Sequence, residues 1–312
     1  MKNDTGTDLV TGAFSYSGGH IAQRLLDQGR NVRTLTFHPD RQHALRDQVD
    51  VRRYTFDDPA ELERSLEGVT TLYNTYWVRF DYGRSTFANA IENSRTLFFA
   101  AKRAGVQRIV HVSIANPSID SPLPYYRGKT LVERALAEAD VPFTIVRPTL
   151  VFGGERDVLA NNIAWMLRKM PVFAVPGRGT YDVQPVHVQD LARICVDGAA
   201  GDGDRIVDAA GPETMTFNEM VHLVRDAVGS HAPILPLPPL LMSVASRILS
   251  RALGDVVLTP EEIKGLMGGL LVTHEAPLGK IAFSEWLDEN ADTVGKAYAN
   301  EVERHFVLPA TG

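Results

Sequence analysis

Residues Thr11 to Ala22 read "TGAFSYSGGHIA", follow a short apolar run and lead into a segment with helical apolar spacing. A strand, a tight glycine turn and a helix in that order aim free backbone N–H groups and the positive end of a helix at one point. Gly12 permits the turn, and Gly18 lets helix and strand approach closely. Ser15 stands where a third glycine is usual. Its side chain is small, and its hydroxyl is a donor that a phosphate could use. A degenerate GxxSxxG also fits a plain strand-to-helix turn, so the rest of the chain has to decide.

Outward from that turn, short β-branched runs alternate with helical patterns: "DLVTG", "NVRTLTF", "DVRRYTF", "TTLYNTYW", "RIVHVSI" and "FTIVRP". Between the first two, "HIAQRLLDQG" puts Ile21, Leu25 and Leu26 on one face, and later "DPAELERSLEG" opens with an Asp58…Glu61 capping box. This alternation predicts a doubly wound parallel sheet covered on both faces. The reading places a Rossmann-type domain over 1–153, with a strand at 205–211 returning to it. Residues 154–204 and 212–312 are expected to form a smaller, mainly helical lobe, with helix starts at Thr216…Glu219 and Thr259-Pro260…Glu262. "PVFAVPGRG" reads as a loop, and "FSEWLDENADTVGKAYANEVERHF" as one terminal amphipathic helix.

At 312 residues the chain is ample for a buried core, and its net charge of −6 gives no global pull toward nucleic acid or anionic membrane. A local basic patch is not addressed by that sum, but neither partner is expected. The single cysteine, Cys195, fills an apolar helix position and reads as core. No histidine or cysteine spacing suggests a metal. "MKNDTGTD" lacks a signal-peptide core, so a cytoplasmic setting is the expectation. The apolar stretch "ILPLPPLLMSVASRIL" is broken by Pro236, Pro238 and Pro239 and carries Arg247. A membrane span does not fit it; a lobe helix entered through prolines does.

"PYYRGKTLVERAL" presents Tyr125 and Lys129 four apart on one helix face. A tyrosine of ordinary pKa, about 10, is a poor base at neutrality, and an adjacent ammonium favours its phenolate. The pair can then serve as a general acid/base at a carbonyl or alcohol. YxxxK is common by chance, but this one follows the fifth strand, on the helix passing the carboxyl end of the sheet where ligands bind. After the second strand, "TLTFHPDRQ" offers no carboxylate for a ribose 2′-OH, since Thr36, Phe37 and His38 occupy the place, while Arg33 and Arg41 are the nearby guanidiniums. That favours NADP(H) over NAD(H), with a solvated surface pair of arginines as the plainer reading.

In order along residues 7 to 225, the turn, "YNTYW", "RIVHVSI", "YYRGK" with Glu133, "RPTLVFG", "PVHVQDLA" and "GPETMTFNEM" resemble the short-chain dehydrogenase/reductase superfamily, particularly its extended and atypical, epimerase-like branches. The resemblance implies a nicotinamide cofactor along the carboxyl edge of the sheet and a small lobe closing over a small-molecule substrate. It implies that Gly12, Phe14, Ser15, Tyr16, Ser17 and Gly18 line the pyrophosphate turn. Phe37, Arg41, Phe56, Thr75 and Tyr76 would follow the next strand ends, and Pro148 would border the nicotinamide. Tyr125 would be the catalytic acid/base and Lys129 would hold the ribose. Arg147 and Asp190 would be structural, as a lobe contact and a helix cap. The family's carbonyl-binding serine or threonine falls on Ile114 in this register, with Ser113 or Ser118 as substitutes.

Three activities accord with this pattern: a hydride-transferring oxidoreductase, a redox-neutral epimerase or isomerase, and a non-catalytic nucleotide-binding regulatory or assembly protein. The last occurs in the atypical branch as nitrogen-repression regulators and as the nucleotide-binding accessory subunit of respiratory complex I. Substrate identity and oligomeric state have no sequence signal.

Overall fold

The β-branched runs pair as parallel strands. Thr7–Thr11 (β1) lies between Asn31–Thr36 (β2) and Val69–Asn74 (β4), with Leu9 opposite Arg33 on one side and Leu72 on the other. Asp50–Arg53 (β3) extends the sheet beyond β2, while Arg108–Val112 (β5) and Phe143–Pro148 (β6) extend it beyond β4. The crossovers are the helices Tyr16–Asp27 (α1), Pro59–Leu66 (α2), Phe87–Arg103 (α3) and Pro124–Glu138 (α4). These elements come from a computed structural model that describes residues 6–154 and 157–306, the side chains of 305 and 306 aside. The first five residues of the polar N-terminal stretch lie outside the described residues.

The chain then runs through Leu150–Phe152 (β7), Leu159–Lys169 (α5), Phe173–Pro176 (β8), Asp182–Val183 (β9) and Pro185–His187 (β10). It returns to the sheet with Val188–Asp197 (α6) and Arg205–Ala209 (β11). Met215–Thr216 (β12), Phe217–Ala227 (α7), Ile234–Leu237 (β13), Pro239–Leu253 (α8), Pro260–Met267 (α9), Phe283–Asn290 (α10) and Glu301–Phe306 (α11) complete it.

Two compact units result, 1–148 with 188–209, and 149–187 with 210–312. In the first, seven parallel strands run in the order β11-β6-β5-β4-β1-β2-β3. Alternate residues of each strand point to opposite faces. Leu9, Leu35, Leu72, Ile109 and Ile145 therefore meet Leu62 and Leu66 of α2, Leu97 and Phe98 of α3, and Val132 and Leu136 of α4. The other face carries α1 and α6, packed together with Ile21, Leu25, Leu191 and Cys195 buried. The doubly wound, Rossmann-type sheet expected from the sequence is what the chain forms.

The expected lobe boundary needs a correction. Residues 188–197 and the turn after them belong with the sheet and not with the lobe, because the apolar stripe of α6 lies against α1 and the sheet. Buried Arg108 ties down the connection that follows, donating to the carbonyls of Gly198, Gly201 and Gly203 as well as to Thr144 Oγ1. Near the start of β1, Arg30 pairs with buried Asp8 at 2.6 Å.

The second unit has its own core, with Phe152, Ile163, Leu167, Val175, Phe217, Val221, Phe283 and Leu287 buried together. Its strands form three two-stranded pairs, β7 with β10, β9 with β12, and β8 with β13. The "PVFAVPGRG" segment is thus a strand for part of its length, because β13 supplies a partner. Both expected helix starts, at Thr216…Glu219 and Thr259…Glu262, are closed capping boxes. At Asp58 only half of the expected box closes: Asp58 accepts the Glu61 N–H at 3.0 Å, while the Glu61 carboxylate pairs with Arg64. The expected terminal helix is two helices, α10 and α11. The second starts on buried Asp255, which accepts the Val302 N–H at 3.0 Å and the Tyr298 hydroxyl at 2.8 Å. Among the described residues no helix is long and apolar enough to cross a membrane.

Candidate functional site

Because the strands are parallel, Thr11, Thr36, Asn74, Val112 and Pro148 all end at one edge of the sheet, and the strand order reverses between β1 and β4. Such a switch point opens a crevice for a ligand. The turn after β1 enters it. Gly12 has φ +68°, and its N–H donates to Leu35 O at 2.9 Å. A Cβ on Gly18 would lie 2.3 Å from the Gly12 carbonyl oxygen, so α1 approaches β1 as closely as backbone permits only because that residue has no side chain. Ser15 is the N-cap residue of α1, and its hydroxyl donates to Gly12 O at 2.6 Å, bracing the turn rather than reaching outward. Tyr16 and Ser17 begin the helix, part-buried. Phe14 differs from expectation: its ring is 2% exposed and packs on His43 at 5.1 Å, so it fills the core instead of lining the crevice.

Under the turn runs a buried polar chain. Thr75 donates its hydroxyl to Thr11 O at 2.6 Å and its N–H to Thr11 Oγ1 at 2.8 Å, and Thr11 donates to Asn74 Oδ1 at 3.2 Å. Asn74 Oδ1 also accepts the Tyr76 N–H, which leaves its amide nitrogen facing His111 Nδ1 at 3.1 Å. His111 is held neutral by burial and by the nearby Lys129, both of which lower its pKa, and the network assigns its proton to Nε2. The chain locks β1, β4 and β5 at the edge a cofactor would use.

Past β2, β3 and β4 the expected residues Phe37, Phe56 and Tyr76 gather with Tyr54 into one aromatic cluster. Phe37 stacks on Tyr54 at 5.0 Å, Tyr54 on Phe56 at 4.5 Å, and Tyr76 lies 5.4 Å from Phe56. Phe37 keeps 49% of its surface exposed. Arg41 is part-buried in the following loop, and burial pulls its guanidinium below its ordinary pKa. Arg33 points elsewhere, bound to Asp50 at 2.8 Å and to the Ser65 and Glu67 carbonyls.

Pro124 opens α4, so Tyr125 lies in the first turn and Lys129 one turn on. Lys129 is 2% exposed; its ammonium donates to Val112 O at 3.0 Å and lies 4.7 Å from the centroid of Trp77. Burial pushes its pKa down from 10.5 to about 7 against the upward pull of Glu133. Trp77 also meets the Tyr125 ring edge-on at 5.8 Å, and Phe87 does so at 5.9 Å. Gly128 makes room for the indole, since a Cβ there would lie 2.9 Å from it. The sequence stretch "YNTYW" contains Trp77, but nothing local reveals a contact with a residue 51 positions away.

Ser113 and Glu133 come together as well. The buried Ser113 hydroxyl donates to Glu133 Oε1 at 2.5 Å, and Arg147 grips the same carboxylate through Nε at 3.0 Å and Nη2 at 2.6 Å. The single proton of Ser113 is therefore committed to Glu133 and not directed at a substrate carbonyl. Arg147, expected as a lobe contact, binds Glu133 within its own unit. Ile114 is nearly buried, and Ser118 accepts the Asp120 N–H at 3.2 Å in a local turn. Pro148 is buried at the end of β6, its carbonyl accepting from Ala115 at 2.8 Å. Asp190, in the first turn of α6, pairs with Arg193 at 3.0 Å.

In the second unit, an open groove lies beside the C-terminal ends of α5 and α7, lined by Arg168, Lys169, His231 and Lys296 among others. Cations belong at helix C-termini. Arg168 itself binds the Val228, Ala291 and Val294 carbonyls and so holds the ends of these helices together.

Residues 12–159 match a family described as NAD(P)H-binding. The chain is 24% identical over 249 residues to the mitochondrial NADH dehydrogenase [ubiquinone] 1 alpha subcomplex subunit 9 of Arabidopsis thaliana, covering 76% of this chain and 62% of that one. The corresponding Dictyostelium discoideum subunit is likewise matched over 65% of its length, so the chain spans less than two thirds of these relatives. Over 229 residues it is 28% identical to the (4-alkanoyl-5-oxo-2,5-dihydrofuran-3-yl)methyl phosphate reductase of Streptomyces griseus, covering 71% and 73% of the two chains. Among solved structures, the Citrobacter triphenylmethane reductase complexed with NADP(H) superposes with a TM-score of 0.73 at 19% identity, over 91% of this chain and 99% of that one. The glycine turn, the parallel sheet and the family match together identify residues 12–159 as an NAD(P)-binding Rossmann-type domain, on a fold shared with the extended short-chain dehydrogenases/reductases and NAD-dependent epimerases.

Proposed function

We propose that the protein is an NAD(P)-dependent oxidoreductase acting on a small carbonyl or alcohol, with Tyr125 and Lys129 as its acid–base pair. One observation supports this most: a buried lysine with a pKa near 7 at the carboxyl edge of the sheet, one helical turn from a tyrosine. An ammonium buried without a carboxylate bonded to it is costly, and such perturbed groups concentrate where chemistry needs them. When bound, a nicotinamide dinucleotide supplies hydride chemistry. The chain's own part is to hold the pyrophosphate over the Gly12–Gly18 turn, fix the ribose with Lys129, and move a proton at the Tyr125 oxygen.

NADP(H) is the preferred cofactor in this reading. The end of β2 has no carboxylate, and the part-buried, desolvated Arg41 is a cation that a 2′-phosphate would stabilise. Titration of the protein with NADPH and NADH, followed by NADPH oxidation against a panel of carbonyl compounds, tests both statements. Tighter NADPH binding with turnover supports them, and equal affinity removes the preference.

A second reading, a nucleotide-binding protein without redox activity, is favoured by Ser113. With its proton committed to Glu133 and Ile114 beside it, Ser113 does not add a second donor to Tyr125 for a developing alkoxide. The match to a respiratory-chain subunit accords with this reading. Binding of NADPH with no turnover across the whole panel would select it.

A further inference from the structure

We propose that α8 is an interfacial helix that seats the protein on an anionic lipid surface. The helix is turned the wrong way for water. Ser246 and Ser250 face the protein, Ser246 donating to Leu258 O at 2.6 Å and Ser250 accepting the Val257 N–H at 3.0 Å. Leu240, Leu241, Val244 and Ile248 face outward with 77%, 53%, 49% and 67% of their surface exposed. Leu240, Val244, Ile248 and Arg251 recur at helical spacing and form one stripe. Leu235, on the strand that leads into α8, adds a further half-exposed side chain. Scattered exposed leucines need no explanation, but a contiguous apolar helix face marks a docking surface.

Charge selects the occupant. Residues 234–254 contain Arg247 and Arg251 and no acidic residue, in a chain whose net charge is −6. Both arginines are exposed, Arg251 in line with the stripe and Arg247 one helical turn before Arg251. A second copy docked on this face would bring two arginines from each chain together without a carboxylate from either α8 to neutralise them. Anionic headgroups supply that neutralisation while the acyl region takes up the leucines, the arrangement of a helix lying in the plane of the interface with long cationic side chains reaching to the phosphates. The helix is too short to span the bilayer and lies along it.

The test is co-sedimentation of the full chain with vesicles of phosphatidylcholine alone and of phosphatidylcholine with phosphatidylglycerol. The protein is expected to pellet with the anionic vesicles and to stay in solution with the neutral ones. Arg247→Gln with Arg251→Gln should weaken partitioning about 30-fold, and Leu240→Glu with Ile248→Glu should abolish it. All four sites are exposed, so the variants should keep the wild-type circular dichroism and melting temperature. Failure of the wild type to pellet with anionic vesicles overturns the proposal, as does pelleting that survives the Leu240/Ile248 change. So does a concentration-dependent dimer, seen by sedimentation without lipid, that the same change dissolves.

Discussion

Lys129 is where stability and function pull in opposite directions. Its pKa is 10.5 in an open chain and about 7 when folded. Between those values the unfolded chain binds the extra proton, so this group's contribution to stability rises with pH from about 7 toward 10.5 and is at its lowest below 7. Lys129→Met, an apolar replacement of similar length, should therefore stabilise the fold by about 1–4 kcal/mol at pH 6. The gain should fade as pH rises toward 10, and turnover should be lost. Chemical denaturation at pH 6 and pH 9 measures it. Equal effects at both would mean that Lys129 is not carrying a desolvated charge. Glu133 does not become an orphan in this variant, because Ser113 and Arg147 still bind it. None of that triad could be paired from sequence: Ser113, Glu133 and Arg147 lie in separate motifs, and only the α4 crossover brings them together.

Elements were legible where their signal is local. The six β-branched runs each start within one residue of a strand, β1 to β6, although "DVRRYTF" and "TTLYNTYW" continue three residues past β3 and β4; the buried strands carry the clearer signal because they need apolar side chains on both faces. Contacts between distant elements were not. The stripe of α6 reads equally as lobe or sheet cover until its partner α1 is known, and β8 reads as loop until β13 pairs with it. At the start of α1, Gly18→Ala sets two effects against each other. Alanine favours a helix by about 1 kcal/mol, but its Cβ would meet backbone at 2.3 Å, a clash that only displacement of the helix relieves. The clash should win, lowering stability by about 1–3 kcal/mol and weakening NADPH binding at least tenfold in a fluorescence titration. At the start of α5, buried Asp157 accepts the Gly153 and Ala160 N–H groups at 3.0 and 3.1 Å, yet burial lifts its pKa from 3.8 to about 6. Between those values the folded state holds the extra proton, so this group's contribution falls as pH rises from 3.8 to 6. Asp157→Asn removes the charge but turns one of the two accepting oxygens into an NH2 that faces an N–H donor, so its loss of melting temperature relative to wild type should be larger at pH 4 than at pH 7, and Asp157→Ala should cost about 1 kcal/mol.

At the scale of the molecule, the motifs that carry the glycine turn, Thr75, Lys129 and Pro148 are far apart in sequence and all reach the carboxyl edge of one sheet. They did not convey how that edge is furnished. Ser15 braces the turn, Phe14 fills the core, and Trp77 lies against Tyr125 and Lys129 in the space Gly128 leaves. These are packing outcomes among residues far apart in sequence. What the whole assembly does depends on whether Tyr125 exchanges a proton with substrate while the domain holds its cofactor. The direct measurement is NADPH affinity and NADPH-dependent turnover, side by side, in wild type and Tyr125→Phe. The account predicts unchanged NADPH affinity with turnover reduced about 10²- to 10⁴-fold; turnover equal to wild type would contradict it.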